Sequence, residues 1–189
     1  MVESIKLSIL ICTLPQRKET LNRLDSIFKP QFNEQMEILC DNSTDMEIGK
    51  KRNKLINASH GKYICFVDDD DLVSKDYVLR ILTAIETNPD CVGIQGVMIT
   101  NANCPRRFFH TIEVDQWYTN GCEYYRTPNH LNPIRHDIVK RVMFNEHKSF
   151  GEDLEFSSAV KNMLKTEVMI DDPVYYYIYN LKPNEKMFG

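Results

Sequence analysis

KKRNKLINASHGKYICFVDDDDL, residues 50–72, passes from a basic helical stretch through Gly61 into an apolar run and then into four consecutive carboxylates. Gly61 is a helix stop signal. KYICFVDDDD, residues 62–71, then reads as a core strand running into acid. Four like charges this close repel, and each raises the pKa of its neighbours unless a counter-charge is at hand. If the backbone stays extended, Asp68 and Asp70 point to one side and Asp69 to the other. Such an Asp-x-Asp pair holds Mg²⁺ or Mn²⁺ through one or two carboxylates and leaves positions for phosphate and water. A solvated acidic turn that favours the next helix's N-terminus is the plain alternative, and it is enough for Asp71 alone.

The flanking sequence alternates between two periods. KLSILICT (6–13) is a strand ended by Pro15, and residues 17–29 place Leu21, Leu24, Ile27 and Phe28 at helical spacing. MEILCD (36–41) is a second strand, and residues 48–61 form a helix carrying Leu55 and Ile56. Ser74 is expected to cap a helix whose apolar face is Val78, Ile81, Leu82 and Ile85. DCVGIQGVMIT (90–100) is a fourth strand. From residue 101 to about 149 the pattern breaks into short aromatic and polar pieces. A helix returns at 152–164, followed by strands at 166–170 and 174–179. Strands alternating with helices imply an α/β fold, with a mostly parallel central sheet flanked by helices and an α+β C-terminal half.

The 189 residues suit one domain, at ~150 residues per domain. Apolar residues at 42% and charged residues at 26% exclude a disordered or collagen-like chain. A net charge of −4 gives no global attraction to nucleic acid or anionic membrane. No apolar run approaches the ~20 residues of a membrane span. The N-terminus reads as a strand, not a signal peptide, so a cytoplasmic location is expected. The six cysteines form no CxxC pair, and Cys12, Cys40 and Cys65 read as reduced core thiols.

Ligands of open α/β sheets bind outside the carboxyl ends of the strands, which here end at Thr13, Asp41 and Asp68 to Asp71. The first strand–helix turn, TLPQRKE, has no glycine, which excludes the dinucleotide fingerprint and the P-loop. A second acidic group, Glu152-Asp153, opens the last long helix. The cluster Lys50, Lys51, Arg52 and Lys54 reads as a solvated helix face from which one or two side chains reach the strand ends. No histidine pair has metal spacing, and no Gly-x-Ser-x-Gly elbow is present.

SILICTLPQR, ILCDNSTD, KKRNKLINASHGKYICFVDDDDL and FGEDLEFS together resemble the family 2 glycosyltransferases of the GT-A fold, across roughly residues 6–164. The resemblance implies a single GT-A domain over residues 1–189. Residues 1–100 would hold the nucleotide-sugar, and residues 101–189 the acceptor and the catalytic base. It implies a metal-dependent, inverting transfer from a nucleotide-sugar, a UDP-sugar by expectation, to an acceptor hydroxyl. Thr13, Pro15 and Arg17 would border the nucleotide, Asp41 would accept a hydrogen bond from the base, and Arg52 would lie near that base. Asp68 and Asp69 would face the donor, Asp68 and Asp70 the Mn²⁺ or Mg²⁺, and Asp153 would be the general base with Glu152 beside it. Two departures stand out: Thr13-Leu14-Pro15-Gln16-Arg17 replaces the usual Thr-x-Asn-Arg run. No late histidine follows His147, and Asn180 stands in the comparable stretch. From its length the chain is expected to be no processive, membrane-bound polymerase of the kind many polysaccharide-making relatives are.

The aromatic and basic segment WYTNGCEYYRTPNHLNPIRHD (117–137) would lie between metal and base. Its Tyr124, Tyr125, Arg126, Asn129, His130, Asn132 and Arg135 are acceptor candidates, set against a plain packing layer. The acceptor classes are a glycan, lipid-linked or protein hydroxyl, or, less favoured, a hydroxymethylated base of phage DNA. A nucleotidyltransferase and a catalytically silent nucleotide-sugar or glycan-binding relative are the alternatives.

Overall fold

The computed structural model describes residues 4–101, 103–148 and 151–179. Its first half is a parallel sheet. β1 (Leu7–Cys12) lies between β2 (Met36–Asp41) and β3 (Tyr63–Phe66), with Leu7 level with both Met36 and Tyr63. The crossovers are α1 (Lys18–Phe28) and α2 (Ile48–Ala58). As the central strand, β1 is buried on both faces, which is why it reads as a continuous apolar run and not an alternating one. Leu7, Ile9 and Ile11 join a core with Leu24 and Phe28 of α1 and Tyr77 and Ile81 of α3 (Tyr77–Ala84). Leu10 joins the core on the other face, with Leu55 and Ile56 of α2, Ile138 of α4 (His136–Val142) and Phe156 of α5 (Glu152–Lys161). The architecture is thus helix, sheet, helix.

Beyond β3 the sheet is mixed. β4 (Leu72–Val73) pairs antiparallel with β10 (Glu167–Tyr179). β5 (Cys91–Thr100) runs parallel to β10 on one edge, and on the other it meets β6 (Asn103–His110) antiparallel. β7 (Tyr118–Asn120) and β8 (Glu123–Arg126) form a hairpin whose β8 lies parallel to β6. The two-residue β9 (Ile134–Arg135) bridges β3 to β5.

Several expectations shift in detail. The strands read at 166–170 and 174–179 are one strand, β10, whose register slips around Pro173 because proline cannot donate to a ladder. Ser74 does not cap α3: the cap position is Asp76, without a side-chain hydrogen bond, and Ser74 instead offers its carbonyl to Tyr77 N. Cys40 is exposed because β2 is an edge strand, whereas Cys65 is buried; the described cysteines are free thiols. Asn180 lies outside the described residues. No helix among the described residues is long and apolar enough to cross a membrane.

Helix α2 ends at Ala58, before Gly61, so the glycine does more than stop it. Gly61 packs against β1, donates its N–H to Ser8 Oγ at 2.8 Å, and leaves no room for a side chain: a Cβ would stand 2.5 Å from Ser8 N and 2.8 Å from Leu7 C. Gly61→Ala therefore forces backbone apart and is expected to cost about 1–3 kcal/mol, read as a lower urea midpoint with unchanged slope.

Candidate active site

The four acids after β3 do not stay extended. Asp71 N donates to Asp68 O at 3.1 Å, closing a turn that sends the four side chains to different partners. Asp69 is buried and accepts from Thr13 Oγ1 at 2.5 Å and from Arg17 Nη1 at 2.7 Å. Asp70, half exposed, meets the same Arg17 Nη1 at 3.1 Å. Asp71 is not the solvated helix-capping acid expected. It is 1% exposed and accepts from Ile178 N at 2.7 Å and Tyr175 Oη at 2.8 Å. Burial and then the nearby Asp68 charge push its carboxyl up to about 8. The Tyr175 hydroxyl also accepts the Asp68 N–H at 3.1 Å, so β10 fixes the turn from below.

Asp68 is the one of the four that lines the cleft. Arg52 Nη2 lies 3.9 Å from its Oδ1 and His130 Nε2 lies 3.8 Å from its Oδ2. Burial pushes Asp68 up, and the His130 ring with the Arg52 and Arg17 guanidinia outweighs it, holding the carboxyl down at about 2. Asp68 is thus ionised and turned toward the cleft.

Arg52, expected near the nucleobase, is buried in the lining of this cleft, where Nη1 donates to Glu152 Oε1 at 2.7 Å and Nη2 lies 3.1 Å from His130 Nε2. The guanidinium also stands over the Phe144 and Phe66 rings at 5.0 and 5.7 Å. Two buried polar atoms here, Arg52 Nε and His130 Nδ1, have no hydrogen-bond partner among the described residues. Buried polar groups without a partner are few in folded proteins, and each calls for an explanation. Glu152 is buried by this pairing, while Asp153, one residue on, lines the cleft. Gly151, at φ 77°, makes the left-handed turn that sets both acids in the first turn of α5.

The cleft has a volume of about 300 Å³. Arg52, Asp68, His130 and Asp153 line it together, with Asn129, and so do Trp117, Tyr124, Arg126 and Tyr177. Of the other acceptor candidates, Tyr125 faces the opposite side of β8, stacked on Phe109 and Tyr118 at 4.9 and 4.7 Å. Asn132 is internal, bonded to His110 Nδ1 and Val92 O. Arg135 pairs with Asp90 and Asp137 and lines a different pocket.

A second pocket, about 260 Å³, opens beside the end of β1 and is lined by Thr13, Leu14, Arg17, Met46, Ile48 and Lys51. Pro15 is exposed in the 3₁₀ turn that follows β1. Lys51, buried, donates to Thr13 O at 2.9 Å. Asp41 is held by Lys54 Nζ at 2.6 Å and by the backbone and hydroxyl of Ser43. Burial pushes Asp41 up, but Lys54 and Ser43 outweigh it and hold the carboxyl at about 2. Three of the four cations on α2 thus reach the strand ends. No group of three or more His, Cys, Asp or Glu gathers as a metal cage among the described residues.

A model of glycosyl transferase family 2 matches residues 16–150. The chain belongs to this family. Minor teichoic acid biosynthesis protein GgaB of Bacillus subtilis (strain 168) is 24% identical over 136 residues, which is 69% of this chain and 15% of GgaB. The crystal structure of S. aureus TarS 1-349 superposes with a TM-score of 0.69 at 15% identity, covering 92% of this chain and 60% of that one. The same fragment in complex with UDP-GlcNAc gives 0.66 at 15% identity, over 96% and 60%. The chain thus spans less than two thirds of these relatives. The shared fold is the GT-A fold that the resemblance implied.

Two measurements check the electrostatics of this family 2 domain. Arg52→Met leaves Glu152 buried and unpaired, which is expected to cost about 3–5 kcal/mol. Adding Glu152→Leu should recover part of that loss in urea titrations. A carboxyl depressed in the folded state stabilises above its unfolded pKa and loses that contribution as pH falls through the folded one. Between pH 4 and pH 2 the wild type should therefore lose more stability than Lys54→Met, in which Asp41 lacks its ammonium partner.

Proposed function

We propose that this domain transfers a sugar from a nucleotide-sugar, a UDP-sugar, to an acceptor hydroxyl with inversion at the anomeric carbon. The observation that carries this reading is that Asp68, from the end of β3, and Asp153, from the start of α5, line one cleft. In the proposed reaction Asp153 accepts the proton of the acceptor hydroxyl as its oxygen bonds to the anomeric carbon. The bond from that carbon to the diphosphate oxygen breaks, and its electron pair leaves with UDP. Glu152, tied to Arg52, holds the start of α5 so that Asp153 is presented to the cleft.

Asp68 and Asp70, with side chains 33% and 49% exposed, are the carboxylates that would hold a divalent cation, Asp70 giving up its contact with Arg17 to do so. Two carboxylates are the number Mg²⁺ takes when substrate phosphates and water complete its shell. Mn²⁺ or Mg²⁺ bound there would stabilise charge developing on the leaving diphosphate. The smaller pocket beside Thr13, Leu14 and Arg17 suits the nucleobase, with Asp41 joined to its wall through the Thr13 N–H on Asp41 O at 2.9 Å. TarS crystallised with UDP and with UDP-GlcNAc supports a uridine donor.

For the acceptor, a glycan, lipid-linked or protein hydroxyl is favoured over a modified DNA base. GgaB's part in teichoic acid biosynthesis supports this choice, as does a net charge of −4. A nucleotidyltransferase is disfavoured because the turn after β1 has no glycine loop and is pinned to Asp69 through Thr13 and Arg17. A silent binding relative is disfavoured because both acids of the cleft are intact.

The test is release of UDP from a panel of UDP-hexoses with Mn²⁺, with water or simple glycans as acceptor. Asp153→Asn is expected to slow release by about 10²–10⁴-fold while still binding UDP. Full activity in Asp153→Asn would overturn the assignment.

A further inference from the structure

Arg126 lines the cleft beside Tyr124, and Arg106, outside its lining, shares the Tyr124 ring with it. Tyr177 of β10 is level with Met98 of β5, and Met98 with Arg106 of β6. Phe108, two residues on from Arg106 and so on the same face, is level with Tyr124 of β8. Both Arg106 and Arg126 stand over the Tyr124 ring, with guanidinium carbons 5.5 and 5.0 Å from its centroid. Arg126 also stands 4.9 Å from the Trp117 ring, and Trp117 is fixed by its indole N–H on Thr127 Oγ1 at 2.9 Å.

Neither arginine has a carboxylate within ion-pair distance among the described residues. Arg106 donates Nη1 to the Tyr124 hydroxyl at 2.8 Å. Arg126 donates Nη1 to the carbonyls of Tyr118 and Tyr125 at 3.1 and 3.0 Å. Those bonds fix the fork while leaving its Nε and Nη2 without an acceptor among the described residues. Burial lowers the Arg126 guanidinium from its usual value, the expected response of a cation with no counter-ion. A guanidinium held between aromatic rings with free donors is preorganised for an oxyanion, because its planar fork matches phosphate and little freedom is lost on binding.

Resting on the transferase reading above, we propose that Arg126, backed by Arg106, seats a phosphate group of the acceptor, and that the acceptor is a phosphate-bearing glycan or polyol chain. The two unneutralised cations call for a dianion or for successive monoanions, and a phosphodiester chain supplies them. Trp117 and Tyr177 supply ring faces for the sugar or polyol carbons between phosphates. The charge lies at the Tyr124 end of the cleft, whereas the donor's diphosphate has its own site at Asp68 and Asp70.

Binding can be measured without turnover, so failure here is separable from failure of the Asp153 assignment. The probes are a synthetic glycerol phosphate trimer, neutral triglycerol, UDP and a short oligothymidylate, each titrated into wild type, R126Q, R126K and R106Q. The expected result is saturable binding of the phosphate trimer that weakens by about 10–100-fold in R126Q, and by less in R126K and R106Q. R126K retains the charge and shows that loss of the seat, not of the fold, is being read. UDP affinity should stay within twofold across the variants. Triglycerol binding as well as the phosphate trimer, or equal binding of the trimer to wild type and R126Q, overturns the proposal. A loss of UDP affinity in R126Q that matches the loss of the trimer would reassign the anion to the donor. Tighter binding of oligothymidylate than of the trimer would overturn it in favour of nucleic acid.

Discussion

A buried guanidinium must be neutralised, and the Arg52 charge organises the site. Its two main oxygen partners come from distant segments: Glu152 Oε1 at 2.7 Å from the start of α5 and Asp68 at 3.9 Å from the end of β3. An isolated charge at this depth would cost several kcal/mol, so the pairing is not optional. It brings α5 against the strand ends, and so brings Asp153 to the cleft that Asp68 lines. The Phe66 and Phe144 rings around the guanidinium keep water out and strengthen the pairing. Asp68 and Asp153 are therefore held to one cleft by a single buried group.

The second constraint is the repulsion of four adjacent carboxylates. The structure resolves it by giving each a separate environment. Asp69 is neutralised by Arg17 and bonded to Thr13, which locks the turn after β1 onto the turn after β3. Asp71 is buried under β10 with its carboxyl pushed up to about 8, and so carries little charge at neutral pH. Asp70 shares Arg17 at the surface. Asp68, its carboxyl held down at about 2, is ionised and lines the cleft.

The parts legible in sequence were those fixed by local period. β1, β2 and β3, the helices between them and the acid after β3 follow from apolar spacing and chain punctuation, and they carry Thr13, Asp41 and Asp68. The fate of individual acids was not legible, because Asp71 is decided by Tyr175 and Ile178, over a hundred residues away. The position of Arg52 escaped for the same reason: in a run of four cations, nothing local marks the one whose partner lies 100 residues on. Between residues 101 and 148 the strands are short and pair non-locally, as in β6 with β8. Alternation there puts Tyr124 in the cleft and the adjacent Tyr125 on the far face. A composition-based reading counts both tyrosines alike, and only the register separates them.

Calorimetric titration of UDP-sugars into wild type and Asp68→Asn, each with Mn²⁺ and with chelator, tests most directly whether the turn after β3 is a metal-assisted donor site. Wild type should bind at least one UDP-sugar with an affinity that weakens about tenfold or more on chelation, and Asp68→Asn should bind weakly and without regard to metal. Tight binding that neither chelator nor loss of the Asp68 charge disturbs would contradict it.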